Sequence, residues 1–163
     1  MKLPAAILCP ALGLCIVAGP AIAAPQTVAV FDFDLQNTSP APSTPEEIAR
    51  LHRLDAQLSR ELAEPGRYTI IDMSSAREEL ANVISIRGCN GCELDMARKA
   101  GAQLAAYGWV QKVSNLILNI NLVIEDATTG KKLRADSVDI RGNTDESWQR
   151  GLKYLIDERL FRN

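Results

Sequence analysis

The sequence predicts an α/β domain built on a single mixed five-stranded sheet, with the first three strands parallel, an antiparallel meander after them, and about four helices. Three observations carry that expectation. The segment "TVAVFDFDL" is apolar on both alternating faces, as a central strand must be when helices cover both sides of it. Helical and strand-like stretches then alternate up to Gly101, which favours parallel strands joined by crossovers. From Gln103 onward the apolar period drops to two, and short turn signals punctuate it.

Each element has a local reason. In the first strand, Val28 and Val30 are expected on one face, with Ala29, Phe31 and Phe33 on the other. A loop rich in Pro, Ser and Thr, Gln36 to Pro45, ends in Thr44, Pro45 and Glu47, the spacing of a capping box with a first-turn proline. The helix that follows runs to about Ala63, with Ile48, Leu51, Leu54, Leu58 and Leu62 as its buried stripe. "PGRYTIIDM" reads as a turn and a second strand, and Ser75 with Glu78 as the cap of a helix from Ala76 to Val83. A short helix from Glu93 to Ala100 follows the cysteine loop and stops at Gly101. Right-handed crossovers then give the order 2-1-3, extended by hairpins to 2-1-3-4-5.

In the meander, a tight Ser114-Asn115 connection sets Val113 opposite Leu116 and places Tyr107, Trp109 and Gln111 on one face with Leu118, Ile120 and Leu122. Pairing Asp126 with Lys131 adds Leu133 and Ala135 to that face. The opposite face then carries Lys112, Asn119, Asn121, Glu125, Lys132, Arg134 and Asp136. Asn143 or Thr144 caps a closing helix whose stripe is Trp148, Leu152, Leu155, Ile156 and Leu160.

The amino terminus sets the expected compartment. Lys2 precedes an apolar run from Leu3 to Val17, broken by Pro4, Pro10 and Gly13, and small residues at 21, 23 and 24 precede Pro25. This is the pattern of a cleavable secretory signal over residues 1–24, leaving one domain over 25–163 in the periplasm. Cys9 and Cys15 follow Leu8 and Leu14, large residues where a lipid-modified cysteine wants a small one, and the breakers argue against a retained membrane span. Without Lys2, 17 of the 18 basic residues face 20 acidic ones, a balance that disfavours nucleic acid as a partner.

The stretches "VAVFDFD", "KAGAQLAAYGWVQKVSNLILNINLVIEDATTGK" and "DIRGNTDESWQRGL" resemble a proteobacterial family of exported proteins defined as a domain of unknown function. More loosely, the pattern is similar to the amino-terminal domain of TolB and to CsgG-like envelope proteins. The resemblance implies an envelope accessory or assembly protein and supplies no catalytic residues.

Among residues that bear chemistry, Cys89 and Cys92 come first. In an oxidising compartment they are expected to form a disulfide with each other, although a four-residue ring constrains the unfolded chain by only about 2 kcal/mol. A thiol-disulfide role is the competing reading, because Cys92 falls at a helix amino terminus. A metal site lacks ligands, His52 being the sole histidine and set on another helix, beside arginines. Asp32 and Asp34 close the first strand where open parallel sheets bind ligands. Asn119, Asn121, Arg134 and Asp136 make up the expected polar outer face of the meander. No nucleophile and base come together, and no cofactor or metal is expected. The sequence thus reads as a non-catalytic periplasmic accessory or binding protein of the cell envelope with a protein partner. The alternative is a thiol-disulfide or small-ligand sensor built on Cys89 and Cys92.

Overall fold

The structure, a computed structural model, describes residues 24–162. Except for Ala24, the signal segment expected over residues 1–24 lies outside them. In chain order the elements are β1 (Thr27–Val30), β2 (Asp34–Asn37), α1 (Pro45–Leu62), β3 (Thr69–Ile71), α2 (Arg77–Leu80), α3 (Cys92–Lys99), β4 (Leu104–Lys112), β5 (Ile117–Asp126), β6 (Lys132–Arg141) and α4 (Asp145–Tyr154). A π-helical turn, Leu155–Leu160, continues α4. The sheet runs β3-β1-β4-β5-β6, with β2 pairing β4 beyond the end of β1. The β1 and β2 pairings are parallel, and β4, β5 and β6 form the antiparallel meander. This is the expected architecture and order, with the first strand in two pieces.

A bulge makes that break. Val30 pairs with Ala106 and Asp34 with Trp109, so four steps on one strand match three on the other. The extra residue reverses the alternation. Phe31 stays with Ala29 in one core, whereas Phe33 joins Val28 in the other, which corrects the expectation that Phe31 and Phe33 share a face. Phe33 packs where β4 has no side chain. A Cβ on Gly108 would lie 2.3 Å from its ring.

The helix α1 forms as its cap requires: Thr44 accepts from the Glu47 amide, and Glu47 accepts from the Thr44 amide. Leu51, Leu54, Leu58 and Leu62 are buried, but Ile48 is 44% exposed and drops out of the stripe. In its place Glu47 turns inward. The helix expected from Ala76 to Val83 shrinks to the single turn of α2 after a 3-10 turn, Ser74–Ala76. The Ser75 cap does not form, because Asp72 takes the Ser74 amide and starts the turn earlier.

Both hairpin registers differ from the expected ones. Val113 and Ser114 both donate backbone N–H to the Ile117 carbonyl, and Ser114 Oγ accepts from the Leu116 and Ile117 amides. The connection is one residue longer, so Trp109 pairs with Asn121 instead of Ile120. The second hairpin starts as expected, with Glu125 beside Lys132, but a bulge between Ile124 and Glu125 then sets Ile124 against Arg134. The outer strands keep their mutual phase while β5 is turned over between them. Leu118, Ile120 and Leu122 therefore share a face with Val110, Lys112, Arg134 and Asp136, not with Tyr107, Trp109, Leu133 and Ala135.

Two cores result. One lies between the sheet and the pair α1 and α4, where Trp148, Leu152, Leu155, Ile156 and Leu160 cover Ile120, Leu122 and Ile140. Gly151 allows α4 to descend: a Cβ there would come 2.5 Å from Ile140. On the other face, α3 and the turns before it cover β1 and β4, burying Phe31, Ile86, Met96 and Tyr107. Nothing comparable among the described residues covers that face over β6, where Leu133, Ala135, Ser137 and Asp139 are exposed.

Candidate functional site

The uncovered part of the sheet carries a distinct chemistry. Along it Asn121 Nδ2 donates to Asn119 Oδ1 at 2.6 Å, and Asn119 Nδ2 donates to Asp139 Oδ1 at 2.9 Å. These bonds form a polar ladder across two strands. Apolar groups flank it: Leu133 at 43% exposure and, toward the first hairpin, Ile117 at 45% and Leu116 at 72%. Polar and apolar area mixed on a half-uncovered sheet face suits protein contacts.

Arg134 and Asp136 are not part of it. They sit on the helix-covered face and fasten the carboxyl-terminal turn. Asp136 accepts from Arg159 Nε at 2.9 Å and Nη2 at 3.1 Å, and those bonds, with the Ser137 amide, hold its carboxyl below the usual range. Arg134 donates to the Leu160 carbonyl and lies 4.4 Å over the Phe161 ring, which Arg67 also approaches, at 5.0 Å. Lys112 likewise leaves the expected outer face. It is 1% exposed, and its Nζ lies 2.6 Å from Glu47 Oε1. Burial alone would raise the Glu47 pKa, but bonds from Lys112, the Thr44 amide and Asn143 together outweigh it and hold the carboxyl low.

Asp32 and Asp34 stand at the rim of a cavity of about 240 Å³ at the carboxyl end of β1, walled by Met73, Leu80, Val83 and Ile86. Asp32 is exposed, whereas Asp34 Oδ2 accepts from Ser85 Oγ at 2.6 Å, which ties the rim to the cysteine loop. Behind them Asp55, a residue the sequence did not single out, accepts the Phe33 amide at 2.7 Å and holds the bulge. Burial, with the charge of Asp32 added and the Phe33 and His52 contacts opposing, pushes the Asp55 pKa up to about 6. The signal in the sequence was weak: Asp55 follows Leu54, one step off the buried stripe of α1. His52 itself is a surface residue 3.6 Å from that carboxylate.

In the cysteine loop the sulfurs of Cys89 and Cys92 are bonded to each other. Asn90 and Gly91 take positive φ, 59° and 100°, to close the ring, and Gly91 leads into α3. Arg87 lies 5.0 Å over the Trp109 ring and packs the loop onto β4. Ligand atoms of Cys89, Cys92 and Glu93 fall within 4.8 Å of one another, but bridged sulfurs offer no thiolate. A second such group, Glu61, Glu64 and Asp157, is occupied by Arg67. No described helix is long and apolar enough to cross a membrane.

A family model described as "Protein of unknown function (DUF2380)" matches residues 26–160, the whole of this sheet and its helices. The chain belongs to that family, DUF3280. None of the curated proteins matches the DUF3280 chain. Among solved structures it is similar to the LpoB C-terminal domain from Salmonella enterica, at 16% identity and TM-score 0.55 over 75% of this chain and 87% of that one. The PelC dodecamer from Paraburkholderia phytofirmans matches at 15% and 0.53, over 90% and 95%. Lipoprotein GNA1162 from Neisseria meningitidis matches at 17% and 0.52, over 74% and 84%. At these identities the DUF3280 chain shares their fold, and its site residues have to be argued from its own geometry.

Proposed function

We propose that the protein is a non-catalytic accessory or binding protein of the cell envelope, exported to the periplasm by its amino-terminal signal and acting through protein contacts. The observation that carries this reading is the half-uncovered sheet face, with its Asn121–Asn119–Asp139 ladder between exposed Leu133 and the Ile117 end of the hairpin. The fold likeness supports it at the level of class: one neighbour is a lipoprotein and another is a dodecamer. Asn119 and Asn121 are the centre of the proposed contact surface, with the Asp32 and Asp34 rim as a second contact. Arg134 and Asp136 serve the fold.

A photo-crosslinking residue placed at Asn121, and separately at Arg150 on the exposed side of α4, tests the proposal in cells that export the protein. A discrete adduct, with another envelope protein or a second copy, is expected from position 121 and not from 150. The same adducts from both positions, or none from 121, would overturn it.

A further inference from the structure

The bulge that splits the first strand also builds the cavity at its carboxyl end. In an unbroken strand Phe31 and Asp34, three residues apart, would face opposite sides of the sheet. The extra residue brings them to one side. Phe31 lies in the core beneath the turns from 73 to 88, and Asp34 reaches Ser85 of the same segment at 2.6 Å. Topology sets the place as well. β1 has parallel neighbours on both sides, and the chain leaves it across one face through α1 and returns to β4 across the other. Its carboxyl end therefore opens into the crevice where sheets of this kind bind ligands.

The interior and the mouth of this cavity differ in chemistry. Phe31, Met73, Leu80, Val83 and Ile86 line an apolar interior of about 240 Å³. At about 30 Å³ for each non-hydrogen atom such a space admits about eight of them, fewer than a drug-sized ligand carries. Asp32 and Asp34 stand at the mouth, and neither is in an ion pair among the described residues. Asp34 is held by Ser85 Oγ through one oxygen, and Asp32 is exposed. The field of the mouth is felt behind it: burial first, and then the charge of Asp32, push the Asp55 carboxyl up to about 6 against the Phe33 and His52 contacts. Carboxylates over an apolar interior repel an anion and complement an ammonium that carries a small apolar substituent.

We propose that this cavity binds a small organic ammonium, with its apolar group inside against Phe31, Met73 and Val83 and its N–H bonds donated to Asp32 and Asp34 at the mouth. The inference rests on the reading of the rim as a contact and names what the rim recognises. Two sources carry that chemistry: a free alkylamine, and the amino-terminal residue of a peptide whose first side chain is apolar. Free amino acids are disfavoured, since their own carboxylate would lie beside Asp32 and Asp34.

The test is an NMR titration of the full exported chain, carrying isotope-labelled methionine methyls, with isoamylammonium as the probe. Met73 reports from the cavity wall, and Met96, fully buried and outside the cavity, is the internal control. The Met73 signal is expected to shift saturably while that of Met96 stays. Uncharged isoamyl alcohol should bind at least about tenfold more weakly. Asp32→Asn and Asp34→Asn should each weaken the ammonium about tenfold and leave the alcohol unchanged, as the loss of a hydrogen bond to a charged group requires. At position 34 the Asn oxygen can still accept from Ser85 Oγ, so the loop stays in place. Leucyl-glycinamide and its N-acetylated form separate the sources. Peptide binding that acetylation abolishes assigns the site to a peptide amino terminus, and binding of the alkylamine alone assigns it to a small amine. No saturable shift of Met73, equal affinity for alcohol and ammonium, or undiminished ammonium binding in both variants would overturn the proposal. The titration contains no partner protein, so its failure leaves the Asn121 adduct, and with it the reading of the sheet face, standing.

Discussion

Lys112, expected on the polar outer face of the meander, and Asp55, which nothing in the sequence singles out, each fix a joint of the fold. Sequence alternation put Lys112 on the solvent face of the meander, yet β4 ends beneath the first turn of α1, where Glu47 meets it. Removing one partner of a buried pair leaves an uncompensated charge, so Lys112→Ala is expected to cost about 3–5 kcal/mol in a denaturant melt. Lys112→Met together with Glu47→Gln should recover most of that loss. Because the Glu47 pKa is lowered on folding, its contribution is present above the unfolded carboxylate pKa and fades as pH falls through the folded one. Asp55 works in the opposite sense. Its pKa is raised from 3.8 to about 6, so the folded state binds the proton more tightly and stability drops as pH rises between those values. Asp55→Asn keeps an oxygen for the Phe33 amide and should stabilise the protein by about 1–2 kcal/mol at neutral pH, flattening that part of the stability profile.

At the scale of elements, periodicity was enough for α1, the meander strands and α4, because long amphipathic stripes and capping residues leave few alternatives. It failed where one residue decides. Ser114 Oγ bonds two amides and lengthens the first turn by one, and a bulge at Ile124 and Glu125 offsets the second. The two offsets cancel between β4 and β6, so β5 alone is turned over relative to the expected pairing. The burial of Ile120 and Leu122 survives this because β5 faces α1 and α4 with that side, where Ile120 and Leu122 are fully buried. Ile120→Ala should therefore cost about 2–5 kcal/mol. Asn121→Ala, on the open side, should change stability by no more than about 0.5 kcal/mol. Equal losses would contradict the register. The carboxyl-terminal turn makes its own test: Phe161→Ala removes the ring that Arg67 and Arg134 share, and the expected loss is about 1–2 kcal/mol.

Across the whole molecule, coverage is uneven: helices cover one face of the sheet from end to end and the other only as far as β4. The sequence carried the sheet order, since crossover handedness and strand count leave little freedom. It placed Asn119 and Asn121 on the side of β5 away from Ile120 and Leu122, where they lie, but neither Arg134 nor Asp136 announces that it will hold the chain end. The uneven coverage has a measurable expectation. Amides of β6 on the edge should exchange with solvent well before those of β4, which is paired on both sides and covered on both faces. Protection of β6 that rises in extracts containing a partner would mark the same strip of sheet from an independent direction.

The bulge between β1 and β2 acts as a phase shifter in the chain. Upstream of it, odd and even positions mean one assignment of faces; downstream they mean the reverse. A single-residue deletion at Asp32 would erase that shift, swinging Phe33 away from the gap above Gly108 and presenting the wrong side of Leu35 and Gln36 to α1. A single-residue insertion there would have a comparable effect. The segment from 31 to 33 should therefore tolerate many substitutions at the exposed Asp32 while rejecting any change of length, whereas the loop from 38 to 43 should accept insertions freely. A deletion scan read out by soluble yield would trace that contrast residue by residue, and its sharp edge should fall where the parity of the strand reverses.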